Sequence, residues 1–167
     1  HYAHYHRDPR NIASHFIGIP MIVLAVAVLL SRPAMGVAGG LALTPALLVT
    51  LATVLYYLRL DLRFGALMGV LMALNLLAAQ WFAAQSTAFW LGSGIGLFVV
   101  GWLIQFIGHY YEGKKPAFVD DIMGLIIGPL FVVAEVVFAL GLRASVLQAI
   151  EARVGPVRKR DMTAGAA

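Results

Sequence analysis

The run from Ala88 to Tyr111, AFWLGSGIGLFVVGWLIQFIGHYY, decides the fold. It is long and apolar enough to cross a bilayer as a helix, with Gly92, Gly94, Gly96 and Gly101 suited to close helix packing. Its last turns and the residue after it are polar. On a helix Gln105, His109 and Glu112 fall at i, i+4 and i+7, so an amide, an imidazole and a carboxylate share one face. Such a face serves metal ligation or proton transfer where a span meets water.

Composition extends this reading to the whole chain. Of 167 residues 61% are hydrophobic and 12% charged, against roughly 25% charged in a soluble domain, and the mean hydropathy is +0.86. The expected class is an all-α, polytopic membrane helix bundle, with about four spans plus a final broken or re-entrant helical segment. Residues 1–154 are expected to form one integral-membrane domain, and 155–167 a basic, disordered tail. The absence of cysteine excludes disulfides, iron–sulfur clusters and thiol nucleophiles. The net charge of +4 resides in short loops and the tail without interleaved aromatics, which argues for membrane orientation and against nucleic acid.

Upstream, Tyr2 to His15 is a polar lead. Asp8-Pro9 reads as a helix start, with the carboxylate as N-cap and proline at the first helical position. The break lets His6 and His15 turn toward a common point, and Asn11 shares the face of His15. The lead lacks the look of a cleavable signal, and the start at His1 suggests that native residues precede it. Apolar runs follow at Phe16–Leu30, Met35–Leu58 and Phe64–Ala84. Gly18 and Pro20 are expected to kink the first, and Gly36, Gly39 and Gly40 to let the second pack closely. Asn75 in the third reads as helix–helix glue, Tyr56, Tyr57 and Trp81 as interface anchors, and Asp61 as a solvated turn residue between Arg59 and Arg63.

The last apolar stretch, Ile122–Leu142, is interrupted by Gly124, Gly128 and Pro129 and carries Glu135. Four crossings leave only Arg32 of the twelve Lys and Arg on the far side, whereas a fifth would split them evenly. The positive-inside rule therefore favours four crossings, cytoplasmic termini and a final segment that does not span. Leu147, Ile150 and Val154 recur at helical spacing, as in a short amphipathic helix.

This topology brings His6, His15, His109 and Glu112 near one membrane surface, and a re-entrant Glu135 reaches the same region. Each has a plainer alternative. His15 can hydrogen-bond a helix end, Glu112 can pair with Lys115, Glu135 can anchor an ion pair, and His1 and His4 can be simply exposed. Imidazoles with one or two carboxylates suit Fe(II) and also zinc. No His-Glu-x-x-His or Gly-x-Ser-x-Gly motif is present, and five histidines are too few for a histidine-box di-iron enzyme.

The stretches Tyr2-x-x-Tyr5-His6, Asn11-x-x-x-His15-Phe16-Ile17-Gly18-Ile19-Pro20, Trp102-x-x-Gln105-Phe106-Ile107-Gly108-His109 with Glu112 and Pro116-Ala117, and Pro129-x-Phe131-Val132 with Glu135 resemble the Mpo1-like family. The resemblance implies a membrane enzyme, of the endoplasmic reticulum in yeast, that uses Fe(II) and dioxygen to shorten 2-hydroxy fatty acids by one carbon in α-oxidation. For a bacterial chain, which the Ala- and Arg-rich composition suggests, the inner membrane is expected. The resemblance also implies His6, His15 and His109 as iron ligands and Glu112 as a fourth ligand or an orienting group; Gln105, on the same helix face as His109, reads as an orienting or substrate-binding group. Glu135, Asn11 and Tyr5 are further candidates around the metal. Arg7, Arg10 or Lys114-Lys115 would attract the substrate carboxylate. The competing expectations are a zinc-dependent or metal-free lipid hydrolase or isomerase using His109 and Glu112 as an acid–base pair, and a lipid-binding protein or transporter in which Glu135 and the histidines relay protons.

Overall fold

The structure is a computed structural model and describes residues 2–38 and 41–162. Expectations placed on His1, Gly39, Gly40 and residues 163–167 lie outside the described residues. The protein is all-α and membrane-like, with six α-helices among the described residues. Three are long and apolar enough to cross a bilayer: α1 (Pro9–Ser31), α3 (Leu62–Ala83) and α4 (Thr87–Glu112). Helix α2 (Pro45–Leu60) is apolar but has 16 residues, about 24 Å of rise against a hydrocarbon core of about 30 Å. Helices α5 (Gly124–Ala139) and α6 (Ala144–Val154) form a pair bent by 116°.

Local chemistry sets these boundaries. Asp8 caps α1 as its sequence suggests, its Oδ1 accepting from the Arg10 amide at 2.8 Å. Pro20 lies inside α1 without ending it. The second apolar run departs from the expected single helix. Strand β1 (Gly36–Ala38) pairs antiparallel with β2 (Leu41–Leu43), with Gly36 opposite Leu43, so Gly36 serves a strand rather than a helix interface. Helix α2 starts only at Pro45, with the Thr44 hydroxyl accepting from the Leu47 amide at 3.2 Å. Asp61 is more than a solvated turn residue. Its backbone N–H closes α2 on the Tyr57 carbonyl, and its carboxylate caps α3 by accepting from the Arg63 and Phe64 amides.

The break between α5 and α6 also falls away from the expected breakers. Gly128 and Pro129 sit inside α5. The chain turns instead at Gly141 and Arg143, with φ of +75° and +58°, a region that glycine adopts freely and arginine enters only at a cost.

Packing divides the chain into two compact units, His1–Ile19 with Trp102–Ala167, and Pro20–Gly101. The second has a mainly apolar interior. Ala27, Val28 and Ala79 form one buried cluster, with Leu24, Phe82 and Trp90 against it, and Ala46, Leu47 and Leu76 form another. Helices α2 and α3 approach closely at Gly65, where an added Cβ would lie 2.5 Å from the Leu58 Cα. Its polar atoms are mostly turned to backbone. Trp90 Nε1 donates to the Val28 carbonyl at 2.7 Å and Ser31 to that of Ala27 at 2.7 Å. Asn75 does not act as the expected hydrogen-bonding glue: its buried amide nitrogen has no partner among the described residues. Exposed Leu48, Leu55, Val70, Leu77, Ile95 and Val99 give this unit a surface suited to hydrocarbon rather than water.

The first unit has the opposite interior. His6, Arg7, Asp8, Asn11, His15, Gln105, His109 and Glu112 are all buried in it. The stretch after Gly155, for which the sequence suggests disorder, is irregular but bonded through Arg160. Arg158 N–H donates to the Arg7 carbonyl at 2.9 Å, and Arg160 N–H to Asp8 Oδ2 at 2.7 Å.

Candidate metal centre

Three histidines from separate parts of the sequence meet in this interior. His6 lies just before the α1 cap, His15 in the second turn of α1, and His109 in the last turn of α4. Each offers a ring nitrogen, and these three atoms lie within 4.8 Å of one another. The rings stand steeply to each other, with centroids 4.4 Å apart for His6 and His15 and 5.1 Å from each of these to His109.

The hydrogen bonds fix where the protons are. His6 Nδ1 lies 2.9 Å from the Tyr2 carbonyl and His15 Nδ1 lies 2.8 Å from the Asn11 carbonyl. Carbonyls only accept, so both Nδ1 atoms carry hydrogen. That leaves the two Nε2 atoms as lone pairs, 2.9 Å apart, in a buried site. Two lone pairs at that separation repel unless a proton or a cation lies between them. Burial opposes the proton: it pushes the His6 imidazole down to about 2, with the neighbouring His15 adding to the shift. A metal cation would satisfy both nitrogens, and the backbone carbonyls behind them hold each ring in the tautomer that such ligation needs. His109 adds a third neutral donor. Its Nδ1 is buried and makes no hydrogen bond among the described residues.

Tyr2 stacks on the His6 ring at 4.1 Å and 11°, and Phe131 of α5 lies 5.1 Å from it. An added Cβ on Gly128 would meet the Tyr2 hydroxyl at 3.1 Å, so a glycine in α5 makes room for that stacking ring.

Glu112 does not join the three nitrogens. Its carboxylate receives the Arg7 amide at 3.0 and 3.1 Å, the Asp8 amide at 2.7 Å and the Asn11 side-chain amide at 3.1 Å. It clamps the turn that carries His6 onto the end of α4. Lys115, the partner that the plainer alternative gave Glu112, pairs with Asp120 at 2.5 Å instead. Glu135 lies 3.6 Å from the Arg7 guanidinium and is also outside the imidazole group. Asn11 is fully buried and bridges the Tyr5 carbonyl and Glu112, while its Oδ1 has no partner among the described residues. The Tyr5 hydroxyl donates to Asp120 at 2.5 Å, away from the imidazoles. Gln105 is buried, one turn before His109, with an Nε2 that has no hydrogen-bond partner among the described residues. His4 is exposed, and its carbonyl receives Lys114 Nζ at 2.6 Å.

Sequence reasoning missed Gly108 and Ser14. An added Cβ on Gly108 would collide with the Ser14 hydroxyl and lie 2.7 Å from Asn11 Oδ1. This glycine therefore sets the approach of α4 to the first turns of α1. The signal was present in its place directly before His109.

These features define an integral membrane protein with a buried triad of neutral imidazoles. The chain belongs to the Mpo1-like family: it matches the family described as 2-hydroxy-palmitic acid dioxygenase Mpo1-like over residues 1–140. It is 33% identical over 142 residues to the 2-hydroxy-palmitic acid dioxygenase MPO1 of Saccharomyces cerevisiae, covering 84% of this chain and 78% of the yeast protein. No solved structure matches the chain significantly.

Proposed function

We propose that this protein is an Fe(II)-dependent dioxygenase that converts a 2-hydroxy fatty acid and dioxygen to the fatty acid one carbon shorter, carbon dioxide and water. Membership of a dioxygenase family supports the reaction class. The observation that carries the metal is the pair of unprotonated Nε2 atoms 2.9 Å apart, with His109 beside them. His6, His15 and His109 would hold the ion. When bound, it supplies Lewis acidity toward the hydroxyl and carboxylate of the substrate and one-electron chemistry toward dioxygen.

The protein's own groups prepare the site. The Tyr2 and Asn11 carbonyls keep the ring tautomers, and Glu112 holds the backbone that presents His6. Tyr2 and Phe131 cover the His6 ring with apolar surface and keep water from it. Gln105 Nε2, a buried donor in want of an acceptor, donates to an oxygen of the 2-hydroxy acid head. In the substrate the C1–C2 bond breaks: C2 rises to the acid level and C1 leaves as carbon dioxide. The substrate supplies every electron that dioxygen accepts, so no further reductant is needed.

The test combines metal analysis of protein purified in detergent with oxygen uptake on 2-hydroxypalmitate, with and without added Fe(II). Iron bound to the protein and iron-dependent uptake are expected. Turnover by iron-free protein would overturn the assignment of the metal, and absence of oxygen uptake by iron-loaded protein would overturn the reaction.

A further inference from the structure

A cavity of about 740 Å3 lies under the strap that follows α6. Arg7, Lys114, Arg158, Lys159 and Arg160 line it against two acids, Glu112 and Asp161. Glu112 is already saturated by amide donors. The Arg160 guanidinium packs onto Gly113 at the C-terminal end of α4, where a cation meets the negative end of the helix dipole. Arg158 and Lys159 are different. Both are exposed, and their side chains make no hydrogen bond or ion pair among the described residues.

The strap is bonded to the segment that carries His6 at four points. Arg158 N–H reaches the Arg7 carbonyl and Arg160 N–H reaches Asp8 Oδ2. The Arg7 and Arg10 guanidiniums reach the Gly155 and Arg160 carbonyls at 3.2 and 3.0 Å. These bonds gather cations that repel one another; Glu135 pairs with Arg7 and Asp8 with Arg10, which leaves Lys114, Arg158, Lys159 and Arg160 with fewer acids than cations around the cavity. Such an arrangement is completed by a ligand of more than one negative charge.

We propose that this cavity binds a phosphate ester, whose charge neutralises the strap and locks it onto residues 7–10. Guanidinium forks match phosphate oxygens in pairs, and a phosphate monoester carries close to two charges, which a carboxylate does not. The volume leaves room for an organic substituent beyond the phosphate itself. The cavity adjoins the start of α1 and the end of α4, both long enough to span, so it opens at a membrane edge where lipid headgroups lie. The ester can be borne by such a lipid or by a soluble molecule. This inference rests on the strap and its charges and is independent of the reaction proposed above.

The experiment uses the full chain in a neutral detergent, titrated separately with dioctanoyl phosphatidic acid, glycerol 3-phosphate and octanoate, with binding followed calorimetrically. Amide hydrogen exchange at residues 7–10 and 156–160 is read in parallel. The phosphate-bearing probes are expected to bind about tenfold or more tighter than octanoate and to slow exchange in both segments. Equal binding of the two phosphates assigns a soluble ester; binding of phosphatidic acid alone assigns a lipid headgroup. Arg158→Ala combined with Lys159→Ala should weaken binding by roughly tenfold while leaving the helical circular dichroism unchanged, and Arg158→Lys with Lys159→Arg should restore it. Octanoate binding as tightly as both phosphates, no phosphate binding, or unchanged binding by the double alanine variant would overturn the proposal.

Discussion

The two units of this protein bury opposite kinds of residue. Pro20–Gly101 fills its interior with Ala25, Ala27, Val28, Met68 and Ala79, while His1–Ile19 with Trp102–Ala167 buries three imidazoles, two carboxylates, a guanidinium and two amides. In the first case close contact itself is the adhesive, since between helices in lipid small residues and tight packing do what water does for soluble proteins. In the second every buried polar group needs a partner, and nearly all find one. Three atoms without a hydrogen-bond partner among the described residues, His109 Nδ1, Gln105 Nε2 and Asn11 Oδ1, belong to one of the imidazoles or to residues one helical turn before His109 and His15. A defect in an apolar interior costs stability. A defect in this polar interior should cost chemistry first.

The largest expected separation comes from the imidazoles. His15→Ala and His109→Ala should each lower bound metal and oxygen uptake by at least about 100-fold, with little loss of helix content, since neither ring supports apolar packing. Metal analysis and circular dichroism on the same samples decide this. A variant that keeps its metal would remove that histidine from the ligand set.

Glu112→Gln separates a ligand from a clamp. The amide has one acceptor oxygen where the carboxylate has two, and its NH2 faces the Arg7 and Asp8 amides. As a clamp, Glu112 should lose roughly 10- to 100-fold in metal affinity, because His6 is held less firmly. Activity at saturating Fe(II) should then largely return. As a direct ligand it would leave a site that added iron does not rescue. Arg7→Ala removes the Glu135 partner but leaves the Glu112 clamp on the backbone, and should be milder.

Acid should act on the folding of the metal-free protein. His6 lies outside the spans, and burial holds it neutral down to about 2. Its unfolded value is near 6.5, so the unfolded chain takes up a proton that the folded one refuses. The sign follows: this stability is complete above about pH 6.5 and is lost as pH falls toward the folded value, by up to about 1.4 kcal/mol per pH unit. Metal-free protein should therefore show a falling melting temperature between pH 6.5 and 5, and metal-loaded protein a smaller change. A flat profile in the metal-free form would mean that His6 is not buried neutral.

Much of this was legible in the chain, and unequally so. Asp8-Pro9 announced the start of α1 and the break that lets His6 face His15, because a polar N-cap in a polar lead stands out. Thr44-Pro45 carries the same signal and marks α2, but it sits inside an apolar run whose length alone suggests a span. Helical spacing put His109 and Glu112 on one face. It did not separate them along the axis, where three residues add about 4.5 Å, enough to carry the carboxylate from the imidazoles to the Arg7 and Asp8 amides. Nor does a sequence show that the chain after Gly155 folds back. That depends on backbone bonds to Arg7 and Asp8, which leave no pattern in residue type.

The finest probe of the contrast is a single methyl group placed on glycines of each unit. Gly96 has open space around it, and Gly96→Ala should be neutral or gain up to about 1 kcal/mol in helix stability. Gly65 faces the Leu58 backbone, which cannot move aside like a side chain. Gly65→Ala should cost about 1–3 kcal/mol and lower the melting temperature, with metal content per folded protein unchanged. Gly108 meets the Ser14 hydroxyl, which donates to the Asn11 carbonyl behind His15, and Asn11 Oδ1. Those are side-chain ends able to shift, so Gly108→Ala should cost less stability than Gly65→Ala. Their shift disturbs the carbonyl that sets the His15 tautomer, so it should cost several-fold more in metal affinity. If Gly108→Ala instead lowers melting temperature and leaves metal affinity intact, the polar interior is ordinary packing made of unusual residues, and its hydrogen bonds do not tune the imidazoles.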